Sequence, residues 1–166
     1  KMEDLANTDG LTGLSNERFF NATLQKKEKA GEPFALFYLD LDSFKPVNDT
    51  YGHDVGDQLL KAVARRLRTC VRSTDYAFRI GGDEFALIVN GAVTEGFCKS
   101  RVEKIKTAIR EPYRLQDAEV QVGTSCGCAV YPCDSDDVRA IRILADQRMY
   151  ENKQANHARQ NGAEGI

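Results

Sequence analysis

The sequence predicts an α+β fold, a sheet flanked by helices, and three observations carry that expectation. Periodic segments follow one another in the order helix, strand, helix, hairpin, helix, strand, helix. The first strand, FALFYLD over 34–40, is apolar almost throughout, as a strand covered on both faces requires. No Gly-rich strand-to-helix loop of Walker type is present, which argues against a doubly wound nucleotide fold.

Taken in order, the first helix spans Ser15 to about Lys29, where Phe20, Thr23, Leu24 and the stem of Lys27 recur at helical spacing before Gly31-Glu32-Pro33 stops it. The strand 34–40 follows and ends in acid at Asp40, Leu41 and Asp42; DSFKPVND reads as a loop. From Val55 to Arg72, Val55, Leu59, Val63, Leu67 and Val71 return every fourth residue, an amphipathic helix with Asp54 as its expected N-cap. Tyr76, Phe78 and Ile80 alternate, Gly81-Gly82 intervene, and Phe85, Leu87 and Val89 alternate again, which predicts a hairpin. A helix over Thr94–Arg110, a strand within residues 120–131 and a helix from Val138 to about Lys153 complete the order, with a frayed QNGAEGI tail.

With 166 residues, 42% hydrophobic and 29% charged, the chain suits a single domain over 1–166. Lys and Arg number 23 against 25 Asp and Glu, so no global charge favours wrapping a polyanion, and a nucleic-acid partner is not expected. The arginines of the 55–72 helix read as a solvated face. No apolar run is long enough to cross a bilayer and the start lacks a signal-peptide pattern, so a cytoplasmic domain is expected. Because Lys1 precedes the first Met, the chain reads as the C-terminal fragment of a larger protein, with a sensor or membrane anchor upstream.

Five cysteines, an odd number on a chain too large to need stapling, predict reduced thiols. Cys126, Cys128 and Cys133 with His53 or His157 lack the paired CxxC knuckles of a zinc site, so buried thiols in a strand are expected instead.

RIGGDEFALIVN, residues 79–90, poses the functional question, because a hairpin turn requires glycines but not the two acids that follow them. If strand 34–40 pairs with the hairpin, Asp40, Asp83 and Glu84 meet at one end of the sheet. Like charges that close oppose each other's ionisation unless a cation intervenes. Such an oxygen cluster suits Mg²⁺, or Mn²⁺, which takes one or two carboxylates plus substrate phosphates.

GGDEF (Gly81–Phe85), DLDSFKPVNDTYGHDVGD (Asp40–Asp57), DGLTGLSNERFF (Asp9–Phe20), SCGCA (Ser125–Ala129) and ADQRMYENK (Ala145–Lys153) together resemble the GGDEF family of bacterial diguanylate cyclases, over nearly the whole chain. The resemblance implies a palm-like nucleotidyl cyclase fold with a mostly antiparallel sheet of about five strands. It implies condensation of two GTP into cyclic di-GMP with loss of pyrophosphate, by a homodimer holding one GTP per subunit.

Carried over by residue, it implies that Asp40, the Leu41 carbonyl, Asp83 and Glu84 hold the metal, and that Asp83 or Glu84 assists proton removal from the ribose 3′-hydroxyl. Phe44 backbone and Lys45 meet the β- and γ-phosphates, Lys45 offsetting charge in the reaction, and Lys153 also binds substrate. Asn48 and Asp57 read guanine, and His53 lines the same pocket. Arg72 and Asp75, with five residues between Asp75 and Gly81, match an RxxD site at which product inhibits.

Two positions depart from the family pattern. His157 stands where an Arg is expected to reach the γ-phosphate, which predicts weaker GTP binding, and Glu17 replaces an Arg in the first helix. The alternative reading is a non-catalytic module that senses GTP or cyclic di-GMP.

Overall fold

The computed structural model describes residues 6–164, and beyond Arg159 the backbone alone. Helix α1 (Glu17–Ala30) begins at Asn16, whose side chain accepts from Phe19 N–H, and ends at Gly31 with φ of 67°. Its buried residues are Phe20, Thr23, Leu24 and Lys27, the predicted stripe. Strand β1 (Phe34–Asp42) carries the expected apolar run and extends two residues past Asp40.

The segment read as a loop is helical. Helix α2 (Phe44–Tyr51) is followed directly by α3 (His53–Thr69), with Gly52, φ 91°, joining them. Asp54 is therefore a first-turn residue and not the N-cap, a position that Gly52 occupies without any side-chain bond. Val55, Leu59, Val63 and Leu67 are buried as predicted, whereas Val71 lies past the helix end.

Strands β2 (Tyr76–Gly81) and β3 (Glu84–Asn90) form the predicted hairpin, with Gly82 and Asp83 as its tip and a register shift between Arg79 and Gly81. Helix α4 (Glu95–Arg110) is capped by Thr94, which accepts from Phe97 N–H. Two short strands, β4 (Tyr113–Leu115) and β5 (Ala118–Val120), form a separate ribbon. Strand β6 (Gly123–Tyr131) precedes α5 (Val138–Glu164), whose helical backbone runs through most of the tail expected to fray. Gly165 and Ile166 lie outside the described residues.

The main sheet is four-stranded and antiparallel, in the order β2-β3-β1-β6. Alternate residues of each strand feed opposite faces. Ala35, Phe37, Leu39 and Leu41 join the core under α3 and α4, while Phe34, Leu36 and Tyr38 join the core under α1 and α5. Helix α5 approaches β6 very closely. A methyl built on Gly127 would lie 2.2 Å from Met149 N and 2.3 Å from the Ala145 carbonyl oxygen, so only glycine fits there. This close seat carries Lys153, one turn beyond Met149, to the end of β1.

Candidate functional site

The carboxyl end of β1, the tip of the β2-β3 hairpin and the start of α2 meet at one edge of the sheet. Asp40 pairs with Glu84 across β1 and β3, and with Ser125 across β1 and β6. Directly opposite residues on neighbouring strands put their Cβ atoms about 5 Å apart on one face. The next backbone bond fixes the hairpin tip, since Leu41 N–H donates to the Asp83 carbonyl at 3.2 Å. Asp40, Leu41, Asp83 and Glu84 are thus brought together as the sequence predicts.

Asp40 is only 8% exposed, and one of its oxygens, Oδ1, is buried without a hydrogen-bond partner. The other accepts from Lys153 Nζ at 2.8 Å. Burial pushes the Asp40 carboxyl above its ordinary range; the Lys153 ammonium pulls it back, and Asp83 and Asp42 raise it further. Glu84 is likewise raised, first by burial and then by repulsion from Asp40 and Asp83. Lys153 responds in the opposite sense, its ammonium held more tightly by the bond to Asp40.

Among the described residues no three His, Cys, Asp or Glu side chains form a ready-made cation cage. The donor set nevertheless fits Mg²⁺ or Mn²⁺. The orphaned Asp40 Oδ1 is an acceptor buried with no proton donor, the mutual repulsion of three acids is what a divalent ion relieves, and such an ion needs only one or two carboxylates before phosphates and water complete its shell. Lys153, expected to bind substrate, is here the counter-ion of Asp40.

Helix α2 supplies the second half of the site. Ser43, ahead of it, adopts φ of 65° and its side chain caps nothing, so the first N–H groups, those of Phe44 and Lys45, have no side-chain acceptor. Free N–H groups at a helix start, with an exposed lysine beside them, favour an anion. On the same helix Asn48 Oδ1 is buried without a partner. It lies against Gly56, where a methyl would stand 1.7 Å from it, so Gly56 is the notch that admits the Asn48 amide. Asp57 is the exposed neighbour of that notch, and His53 lies one turn before it on α3. His157 is exposed one turn past Lys153 on α5.

Arg72 and Asp75 stand apart from this edge, at the other end of β2. Asp75 accepts from Arg72 N–H at 2.9 Å, from Arg72 Nε and Nη2 at 3.2 Å, and from Asn90 N–H at 2.9 Å. Arg72 itself remains exposed to solvent.

Two supports of the site were invisible from the sequence. Arg79 grips the Gly82 carbonyl with Nε at 3.0 Å and Nη2 at 2.9 Å and pairs with Asp9 at 3.2 Å, which ties the hairpin tip to the N-terminal loop. Asp42 accepts from Ser125 Oγ at 2.7 Å and from Asn156 Nδ2 at 3.2 Å. Apart from the Arg79 bond to Gly82, three residues on, each contact joins residues 70 or more positions apart, so no local pattern signals it. Cys133, grouped above with the buried thiols, is exposed, because it follows β6 instead of lying within it.

Comparisons with known proteins agree with this geometry. The family model for "Diguanylate cyclase, GGDEF domain" matches residues 6–159. The bifunctional diguanylate cyclase/cyclic di-GMP phosphodiesterase MucR of Pseudomonas aeruginosa is 38% identical over 97% of this chain and 23% of its own length. The chain spans less than half the length of such curated relatives. Among solved structures, the isolated GGDEF domain of TpbB (YfiN) from Pseudomonas aeruginosa superposes with a TM-score of 0.81 at 33% identity, covering 89% of each chain. The coiled coil and GGDEF domain of DgcB from Caulobacter crescentus, in complex with c-di-GMP, superposes with a TM-score of 0.81 at 28% identity, covering 93% of this chain and 84% of that one. Sheet order, acidic hairpin tip and family match lead to one conclusion: the chain belongs to the GGDEF (diguanylate cyclase) family.

Proposed function

We propose that this domain condenses two GTP into cyclic di-GMP and two pyrophosphates, as a homodimer in which each subunit presents one GTP to the other. The observation that carries the reading is the meeting of Asp40, with its orphaned Oδ1, and the Asp83-Glu84 tip beside the uncapped start of α2. Asp40, Asp83, Glu84 and the Leu41 carbonyl are the groups to hold Mg²⁺ or Mn²⁺, which when bound polarises the α-phosphate and neutralises departing pyrophosphate.

The remaining roles belong to the chain itself. Phe44 N–H, Lys45 N–H and the Lys45 ammonium hold the β- and γ-phosphates, where negative charge grows as the leaving group departs. Asn48 offers guanine an amide oxygen that has no partner within the protein, and Asp57 accepts from the N1 and N2 donors that adenine lacks. His53 closes the same pocket. Glu84, with its raised affinity for protons, or Asp83 takes the proton of the 3′-hydroxyl as its oxygen attacks the α-phosphorus of the facing GTP. Lys153 must exchange Asp40 for the triphosphate when substrate enters, and His157 is too short, and lacks the forked guanidinium, to match an arginine there.

Arg72, exposed and pre-aligned by Asp75, serves as the product-binding site at which cyclic di-GMP inhibits. The domain works in the cytoplasm, under a sensor or membrane segment of a longer protein. Among the described residues no helix is long and apolar enough to cross a membrane.

Incubating the chain with GTP and Mg²⁺ at high concentration, with and without a fused dimerising coiled coil, tests the reading. Cyclic di-GMP is the expected product, and Asp83→Ala abolishes it. Nucleotide binding without turnover in the forced dimer would replace this reading with that of a sensing module.

A further inference from the structure

A cavity of about 760 Å³ lies between α4, the free edge of β6 and Arg148 of α5, away from the acidic edge, and four of the five thiols line it: Cys98, Cys126, Cys128 and Cys133. The topology explains the gathering. Cys126 and Cys128 are two residues apart on β6 and so point to the same face, while Cys98, in the first turn of α4, packs down onto that face. The Cys98 and Cys128 side chains face each other across the seam between α4 and β6, close enough for Cys128 to share its proton with Cys98, and each residue is under a tenth exposed but open to the cavity.

The two partners are not equivalent. Cys98 lies at the amino end of α4, where helix N–H groups favour a thiolate, and the proton shared by Cys128 lowers its pKa; burial opposes this, as do Glu95 and Asp134, and Arg148 supports it. Cys128 is raised, because it shares its proton with Cys98 and is itself buried. Cys126 is pushed up to about 12 by burial and stays a thiol.

We propose that Cys98 and Cys128 are a redox-active thiol pair that a small hydroperoxide, entering this cavity, converts to an intramolecular disulfide between α4 and β6. The Cys98 sulfur attacks the terminal peroxide oxygen, an S–O bond forms as O–O breaks, and the departing oxygen takes the thiol proton and leaves as water from hydrogen peroxide, or as the alcohol from an organic hydroperoxide. The Cys128 sulfur then attacks Cys98, S–S forms as S–O breaks, and water leaves with the Cys128 proton. Two electrons pass from two thiols to one peroxide. Oxidation ties α4 to the strand that flanks β1, so the nucleotide edge and a redox input share one sheet.

The test treats the full 166-residue chain, fully reduced, with hydrogen peroxide and reads it by intact mass and non-reducing peptide mapping. The expected result is a loss of about 2 Da, a cross-linked peptide pair containing Cys98 and Cys128, and reversal by dithiothreitol. Cys133→Ser leaves this unchanged, and Cys128→Ser stops at a Cys98 sulfenic acid that dimedone traps. Oxidation confined to Cys133, or a bridge joining Cys126 in place of Cys98, overturns the assignment. Because the readout is mass, the outcome is independent of whether the domain turns over GTP.

Discussion

Gly127→Ala probes how the last helix delivers Lys153 to Asp40. The added methyl meets backbone atoms of α5 at 2.2 Å and 2.3 Å, and ordinary contact begins at 3.4 Å, so the helix must retreat by 3.4 − 2.2 = 1.2 Å. No side-chain rotation can absorb this, because the obstructing atoms are main-chain. Overpacking of that kind costs about 1–3 kcal/mol. At about 2–4 °C per kcal/mol for a chain of this size, the melting temperature falls by about 2–12 °C. The retreat also lengthens the 2.8 Å bond between Lys153 and Asp40. Thermal unfolding followed by circular dichroism, beside the parent protein, measures the first effect. A Tm within about 1 °C of the parent refutes the close seating of α5 on β6 and the placement of Lys153 argued from it.

Two further predictions follow from the same geometry. Gly56→Ala fills the notch that admits Asn48 Oδ1, so guanine nucleotide binding, measured by calorimetry, weakens about tenfold, equivalent to about 1.4 kcal/mol; unchanged affinity removes Asn48 from the base pocket. Burial pushes Asp75 up, but bonds from Arg72 and the Asn90 N–H outweigh it and hold the carboxyl below its ordinary value. Its stabilisation is therefore present above about pH 4 and lost as pH falls through the lowered folded value. Asp75→Asn accordingly costs about 1.5–3 kcal/mol at pH 7 in urea unfolding, a difference that shrinks toward about pH 3; a pH-independent difference contradicts the account.

What the sequence revealed depended on how local the signal was. The α1 stripe of Phe20, Thr23, Leu24 and Lys27 and the apolar β1 run are periodic patterns, legible without tertiary knowledge. Helix α2 was not, because FKPVNDTY buries only Val47 and so has no stripe to read. Pro46 also suggests a break, yet in the first turn its missing N–H has no intrahelical partner to lose. Strands β4 and β5, three residues each, are too short for alternation to register. The acidic site itself was legible through its motif, since Asp40 and Asp83-Glu84 sit at element ends that the sheet must bring together. Its supports were not, as Arg79 to Asp9 and Asp42 to Asn156 are long-range contacts made only by the completed fold.

In the proposed mechanism Asp40 and Asp83 share a divalent ion that grips the triphosphate of GTP. The most direct test is a Mn²⁺ titration with GTP present, followed by electron paramagnetic resonance, on the parent protein, Asp40→Asn and Asp83→Asn. The account predicts tight ternary binding by the parent and at least about tenfold weaker binding by each variant, the loss of one charged ligand being worth about 1.4 kcal/mol or more. Undiminished Mn²⁺–GTP binding by both variants would contradict it.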